Sequence, residues 1–216
     1  MQLSPTVASS VLMERNTFFI KQHAALFQAG NTYDVLDPSG GTLLAKVEEV
    51  IPNLLVKLLK FTSFKSALPF TVVVKDAAGQ TLLVARRPFS LLVSRIVVTD
   101  GAGTRMGLYQ QRFFSVGGRF DIMNQFDELV GTVKGNWVGW TFTFRDKADQ
   151  ELAVITRSWA GLGKELLTSS DHYVVDIKPS VRTPQLRLLI MAAAFCIDMV
   201  FKNESRSPGF SNLLGD

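Results

Sequence analysis

The chain has 216 residues, enough for one domain or at most two, and 47% of them are hydrophobic against 19% charged, which excludes a largely disordered protein. Its single cysteine, Cys196, excludes a disulfide scaffold within the chain, fits a reducing compartment, and reads as a small buried hydrophobe. The net charge of +4 is unevenly spread: Lys57, Lys60, Lys65, Lys75, Arg86, Arg87 and Arg95 stand against one acid, Asp76, so segment 57–95 carries +6 and favours anionic partners such as phospholipid headgroups or nucleic acid.

In chain order, residues 1–14 read as an N-terminal tail. They lack the basic and apolar regions of a secretory signal and the glycine needed for myristoylation, so the expected location is cytoplasmic. A strand is expected around Thr17–Phe27. Five hairpins follow, each an apolar strand, a polar turn and a second apolar strand: YDVLDPSGGTLLAKVEE, FTVVVKDAAGQTLLVAR, RIVVTDGAGTRMGLYQQ, RFDIMNQFDELVGTVKG and WTFTFRDKADQELAVITRSW. In FTVVVK, Phe70, Val72 and Val74 share one face, and Thr71, Val73 and Lys75 the other, which is the period of a strand. Asp37, Asp76, Asp100, Asp127 and Asp146 lie at or near the turns, where an aspartate bonds the backbone two residues on. Gly40, Gly79 and Gly103 can supply the positive φ such turns need, while the last two turns have no glycine.

Between the first two hairpins, Asn53–Phe61 reads as a short basic amphipathic helix with Asn53, Lys57 and Lys60 on one narrow face. Such a helix either lies in a bilayer interface or caps one end of a barrel with its leucines. Trp137 and Trp140 in GNWVGW suit either an interface or ordinary packing. A last strand is expected at Tyr173–Ile177, giving twelve in all.

Thr183 can cap, and Pro184 can open, a helix running to Phe201 that is apolar all round except for Arg187 and Asp198. Its uninterrupted stretch, Leu188–Ile197, is shorter than the roughly 20 residues a membrane span needs. Twelve strands about 4.8 Å apart and tilted about 40° close to a diameter of roughly 24 Å, leaving a lumen about one helix wide. The fold expected is a mainly β, closed antiparallel twelve-stranded barrel over residues 15–204 around the core helix 184–201. Ala193, Phe195 and Asp198 belong to its buried core, and a lysine, an arginine or backbone N–H groups are expected to partner Asp198. Residues 205–216 read as a flexible tail.

His23 and His172 have no metal spacing, and neither a G-x-S-x-G elbow nor a Walker loop is present. No catalytic residue, metal or cofactor is therefore expected.

The hairpins with D-x-x-G turns, then WAGLGKELLTSSDHYVVDI, then RLLIMAAAFCIDMVFKNE, together resemble the LURP-one and phospholipid scramblase superfamily, as a bacterial-type LURP-one member. The resemblance implies a Tubby-like barrel around a C-terminal helix and association with membrane phospholipid. It also implies an acidic calcium segment, here TSSDHYVVDIKPSVR. Asp171 matches one family acid, Ser169 and Ser180 fall where others are expected, Asp176 is a further nearby acid, and the palmitoylated cysteine cluster is missing. Calcium takes six to eight oxygen ligands, so no functional calcium site is expected.

The reading is a non-enzymatic barrel, peripheral at the inner membrane face, that binds anionic phospholipid through Lys57, Lys60, Lys65, Arg86 and Arg87 without metal. Its rivals are a scramblase with the terminal helix inserted in the bilayer and a soluble interaction scaffold. No nucleic-acid partner is expected, because no aromatic–basic recognition motif occurs.

Overall fold

Alternation of inward apolar and outward residues builds twelve strands. In β4 (Phe70–Asp76), residues 70, 72, 74 and 76 are buried and those between them half-buried. The computed structural model describes residue 12 and residues 14–23, 30–50, 67–90, 93–112, 119–136, 139–157 and 172–204. The other strands are β1 (Thr17–His23), β2 (Thr32–Leu36), β3 (Leu43–Val50), β5 (Thr81–Arg87), β6 (Arg95–Asp100), β7 (Arg105–Gln111), β8 (Arg119–Asn124), β9 (Leu129–Asn136), β10 (Thr141–Arg145), β11 (Glu151–Thr156) and β12 (His172–Ile177). Each pairs antiparallel with its chain neighbours, and β1 also pairs with β12, with Phe19 opposite Val174. The barrel is closed, as expected, and closure leaves no edge strand to pair with another chain.

Four hairpin turns repeat one geometry. In the turn after β4, Asp76 Oδ1 accepts the amides of Ala78 and Gln80, at 2.9 and 2.8 Å. Asp100 does the same for Ala102 and Thr104, and Asp146 for Ala148 and Gln150. The fourth turn uses Asn124, which accepts from Phe126 and Glu128, so the turn-forming acceptor there is not Asp127. The residue three places after the acceptor takes positive φ: Gly79 (85°), Gly103 (86°), Asp127 (62°) and Asp149 (63°). The glycine-free turns are thus solved by aspartate, which tolerates the left-handed region through its short polar side chain. The first hairpin is one residue longer, and its positive φ falls on Gly41 (65°), not Gly40.

The terminal helix, α1 (Pro184–Glu204), fills the lumen. Thr183 O accepts the first helical bond from Arg187 N at 3.1 Å. Ala192, Ala193, Ala194, Phe195 and Cys196 are all buried, and the small alanines let the helix approach the wall. Its two charged interruptions sit at opposite ends of the lumen. Arg187 donates to Val181 O at 3.0 Å, to Asn16 Oδ1 at 3.3 Å and to Arg15 O. Asp198 accepts from the Tyr33 hydroxyl of the barrel wall at 2.7 Å. Between them, the Tyr109 hydroxyl donates to Leu189 O. An apolar cavity of about 10 Å³ beside Ala193 and Cys196 has scarcely the volume of one water. Among the described residues no helix is long and apolar enough to cross a membrane.

Candidate functional site

An antiparallel meander sorts its connections to two ends. The five tight turns, from β2–β3 to β10–β11, share one, the turn end. The connections β1–β2, β3–β4, β5–β6, β7–β8, β9–β10 and β11–β12 share the other, the loop end, and the longest of these is 51–69. Helix α1 begins after β12 at the turn end and runs toward the loop end.

Ion pairs form at both ends. Three turn-end arginines pair with turn acids, Arg15 with Asp37, Arg105 with Asp127, and Arg145 with Asp149 at 3.5 Å, while Lys147 and Arg182 are exposed without a described carboxylate partner. Arg95 and Lys134 reach the same turn acids, Asp127 at 3.9 Å and Asp149 at 4.0 Å. The Ser39 hydroxyl and amide hold the Asp37 carboxyl below its usual range, with Arg15 adding to the effect. The Arg105 guanidinium lowers Asp127 in the same way.

At the loop end, Arg86 and Arg87 close β5 with opposite orientations. Arg86 is exposed on the outer wall, opposite Thr71 of β4 and Val97 of β6. No carboxylate of the described residues forms an ion pair with it. Arg87, expected from the sequence to face lipid, is only 3% exposed and turns into the barrel mouth on the same face as Leu83 and Ala85. Its guanidinium lies 4.8 Å from the Phe70 ring centroid and donates to Leu68 O at 2.5 Å and Ser94 Oγ at 3.2 Å. A guanidinium committed to these partners in the interior is a structural tie and is removed from the lipid-binding set. Lys57, Lys60 and Lys65 lie outside the described residues, as do Asn53–Phe61, Trp137, Ser169 and Asp171. The connection carrying the three lysines leaves β3 after Val50 and re-enters at Ala67, both at the loop end.

Further cations that the sequence reading did not single out border the loop end. Arg112 follows β7 and donates to Asp121 Oδ2 at 2.6 Å. Arg119 opens β8 directly opposite Lys134 of β9, a like-charge cross-strand pair. Arg157 follows β11 and stacks 4.1 Å over the Trp140 ring. Trp140 also packs on Tyr173 at 4.9 Å and on Phe142 at 5.5 Å, so it is a packing residue. The signal for these arginines was positional: each adjoins a loop-end connection, a place that is defined only once the strand order is known.

Burial raises the Cys196 thiol and the Tyr33, Tyr109 and Tyr173 phenols well above their ordinary values, which keeps them neutral. His23 pairs with Asp34 at 2.8 Å on the exterior, and His172 meets the Phe19 ring edge-on. Asp176 accepts from Thr17 Oγ1 at 2.9 Å and lies 3.9 Å from Lys178 Nζ, so it is already engaged in joining β12 to β1. No group of three metal-ligating side chains occurs among the described residues.

Comparison with known proteins places these features in a family. The Scramblase family model matches residues 3–204. The chain is 24% identical over 241 aligned positions to altered inheritance rate of mitochondria protein 25 of Saccharomyces cerevisiae, covering 93% of this chain and 72% of that protein. It is 23% identical to a phospholipid scramblase family protein of Schizosaccharomyces pombe, covering 80% of this chain and 47% of that one. A protein of Arabidopsis thaliana solved by X-ray crystallography superposes with a TM-score of 0.49 at 14% identity, over 88% of this chain and 93% of that chain.

Proposed function

Because this chain belongs to the Scramblase family, we propose that it is a non-enzymatic barrel that binds anionic phospholipid at a membrane surface through cations of its loop end. Lys57, Lys60, Lys65 and Arg86 are the residues assigned, with no metal and no cofactor, on the cytoplasmic face. The observation that carries this reading is the exposure of Arg86 at the loop end with no described acid paired to it. The strands flanking the lysine-bearing connection, β3 and β4, meet that connection at the same end. Each such cation contributes about 1 kcal/mol near an anionic surface, and salt weakens it. The terminal helix need not leave the barrel, since Arg187 and Asp198 hold it at both ends of the lumen.

Flotation with neutral, phosphatidylserine and phosphoinositide vesicles at two salt concentrations tests the reading. Salt-sensitive flotation with the anionic vesicles alone is expected, and Lys57→Glu, Lys60→Glu and Lys65→Glu together should abolish it. Unchanged binding by that triple variant refutes the assignment. Carbonate-resistant insertion favours a scramblase with an inserted helix, and absence of flotation favours an interaction scaffold.

A further inference from the structure

The β5–β6 connection holds an aromatic ring in water. Among the described residues three large hydrophobics are exposed: Phe89 by 58%, Val50 by 46% and Phe126 by 72%. Phe126 is at the turn end, in the β8–β9 turn. Val50 and Phe89 are at the loop end, on either side of β4. Val50 lies opposite Thr71, and Thr71 lies opposite Arg86, so an exposed apolar side chain and an exposed cation share one cross-strand row. Phe89 follows Arg86 by three residues, just past the end of β5.

Its loop is built to keep the ring out. Arg87 occupies the barrel mouth just before it, over Phe70, and ties Leu68 to Ser94 across the two connections. Pro88 fixes the backbone between the inward arginine and the outward ring. Ser90 N then donates to Ala67 O at 3.0 Å, and Ser90 Oγ to Val93 O at 2.5 Å. On the far side, Ser94 N donates to Gln111 Oε1 at 3.1 Å, and Gln111 N to Ser94 O at 2.8 Å. A phenyl ring held outward on so many bonds suits an apolar phase adjoining the protein. Arg86 identifies the phase: a cation between two exposed apolar groups matches a bilayer interface, where phosphate overlies hydrocarbon.

We propose that Phe89, with Val50 at the same end of the barrel, inserts into the interfacial layer of an anionic bilayer while Arg86 meets a lipid phosphate, so that the barrel docks with its loop end down. This rests on the phospholipid reading above and adds to it an apolar insertion that salt does not screen.

The buried, neutral Cys196 thiol makes the test practical, because a thiol-reactive fluorophore reaches only an introduced surface cysteine in the folded protein. Phe89→Cys and, as control, Phe126→Cys are each labelled with an environment-sensitive dye and mixed with vesicles of phosphatidylcholine alone or of equal parts phosphatidylcholine and phosphatidylserine. The label at position 89 should brighten and shift to the blue only with the mixed vesicles, and the label at position 126 should not respond. Phe89→Ser should lower partitioning about tenfold at low and high salt alike. Arg86→Ala should lower it about fivefold, and at low salt only. Both variants should keep the parent melting temperature. If the parent floats and label 89 stays unchanged, contact is purely electrostatic or uses another face, and the insertion is refuted while the phospholipid reading stands. A response at position 126 in place of 89 reverses the orientation and refutes the proposal. If the parent does not float, both readings fail and the exposed ring belongs to a protein interface.

Discussion

Replacing Tyr33 with Phe tests what secures the helix at the loop end of the lumen. The substitution keeps the ring, and with it the contact to Phe195 at 5.6 Å, and removes only the hydroxyl that donates to Asp198 at 2.7 Å. Both residues are buried, and Asp198 is 2% exposed, so water cannot replace the lost donor without opening the barrel. A hydrogen bond to a charged acceptor contributes about 1.5–3 kcal/mol, and a neutral one about 0.5–1.5 kcal/mol. For a chain of this length each kcal/mol moves the midpoint by about 2–4 °C, so Tyr33→Phe should lower the melting temperature by roughly 3–12 °C. Asp198→Asn keeps an oxygen for Tyr33 and removes the charge. In that background Tyr33→Phe should cost about 1 kcal/mol less, a coupling that urea denaturation of all four proteins in a double-mutant cycle resolves. Equal costs in both backgrounds within about 0.5 kcal/mol, or no cost in either, would refute the bond between the Tyr33 hydroxyl and the Asp198 carboxyl as what secures the helix here.

The chain's three tyrosines, Tyr33, Tyr109 and Tyr173, are all buried and raised above 10.0, chiefly by burial. A raised folded value means that stability is fully present below the unfolded value and falls as pH climbs above about 10. Tyrosinate absorbance should therefore stay absent until one cooperative alkaline unfolding step releases all three, and an early, independent titration of any of them would contradict the packing. Asp149→Gly should raise stability by about 0.5–1 kcal/mol in thermal melts, because its φ of 63° suits glycine and its exposed pairing with Arg145 contributes little. Gly107→Ala should destabilise severely, since the added Cβ would lie 2.3 Å from Met123 O and 3.1 Å from a Leu189 methyl of the helix; a melting temperature equal to the parent's would show that the wall gives way there. Calorimetric titration with calcium should show no binding in the micromolar range, because Asp176 is engaged by Thr17 and Lys178 and serines stand at 169 and 180; a stoichiometric isotherm would overturn that reading.

Arg87 shows how charge can mislead where parity was informative. Leu83, Ala85 and Arg87 share one strand face, so alternation alone turned Arg87 inward. Charge argues the other way, because a cation is rarely buried without partners, and the partners of Arg87 at Leu68 and Ser94 come from two other segments. At the turns Asp37, Asp76, Asp100 and Asp146 each accept the amide two residues on, as expected, and only the roles of Gly40 and Asp127 differ. Aligning the four repeats places Asp127 and Asp149 in register with Gly79 and Gly103, and local side-chain bonding explains all four positions without tertiary information.

Twelve strands, most of their turns and the buried terminal helix are legible along the chain, because they follow from local periodicity and from bonds between residues a few positions apart. Strand closure and a lumen one helix wide followed from counting, and the terminal helix's uninterrupted apolar run is shorter than a membrane span needs. The folded barrel adds that Tyr33 meets Asp198 from 165 residues away, that Arg87 braces the mouth while Arg86 stays outside, and that Phe89 is exposed at the same end. Those outcomes depend on which side chains the closed barrel brings within bonding distance, and that proximity is set by register between distant strands, which local patterning does not encode.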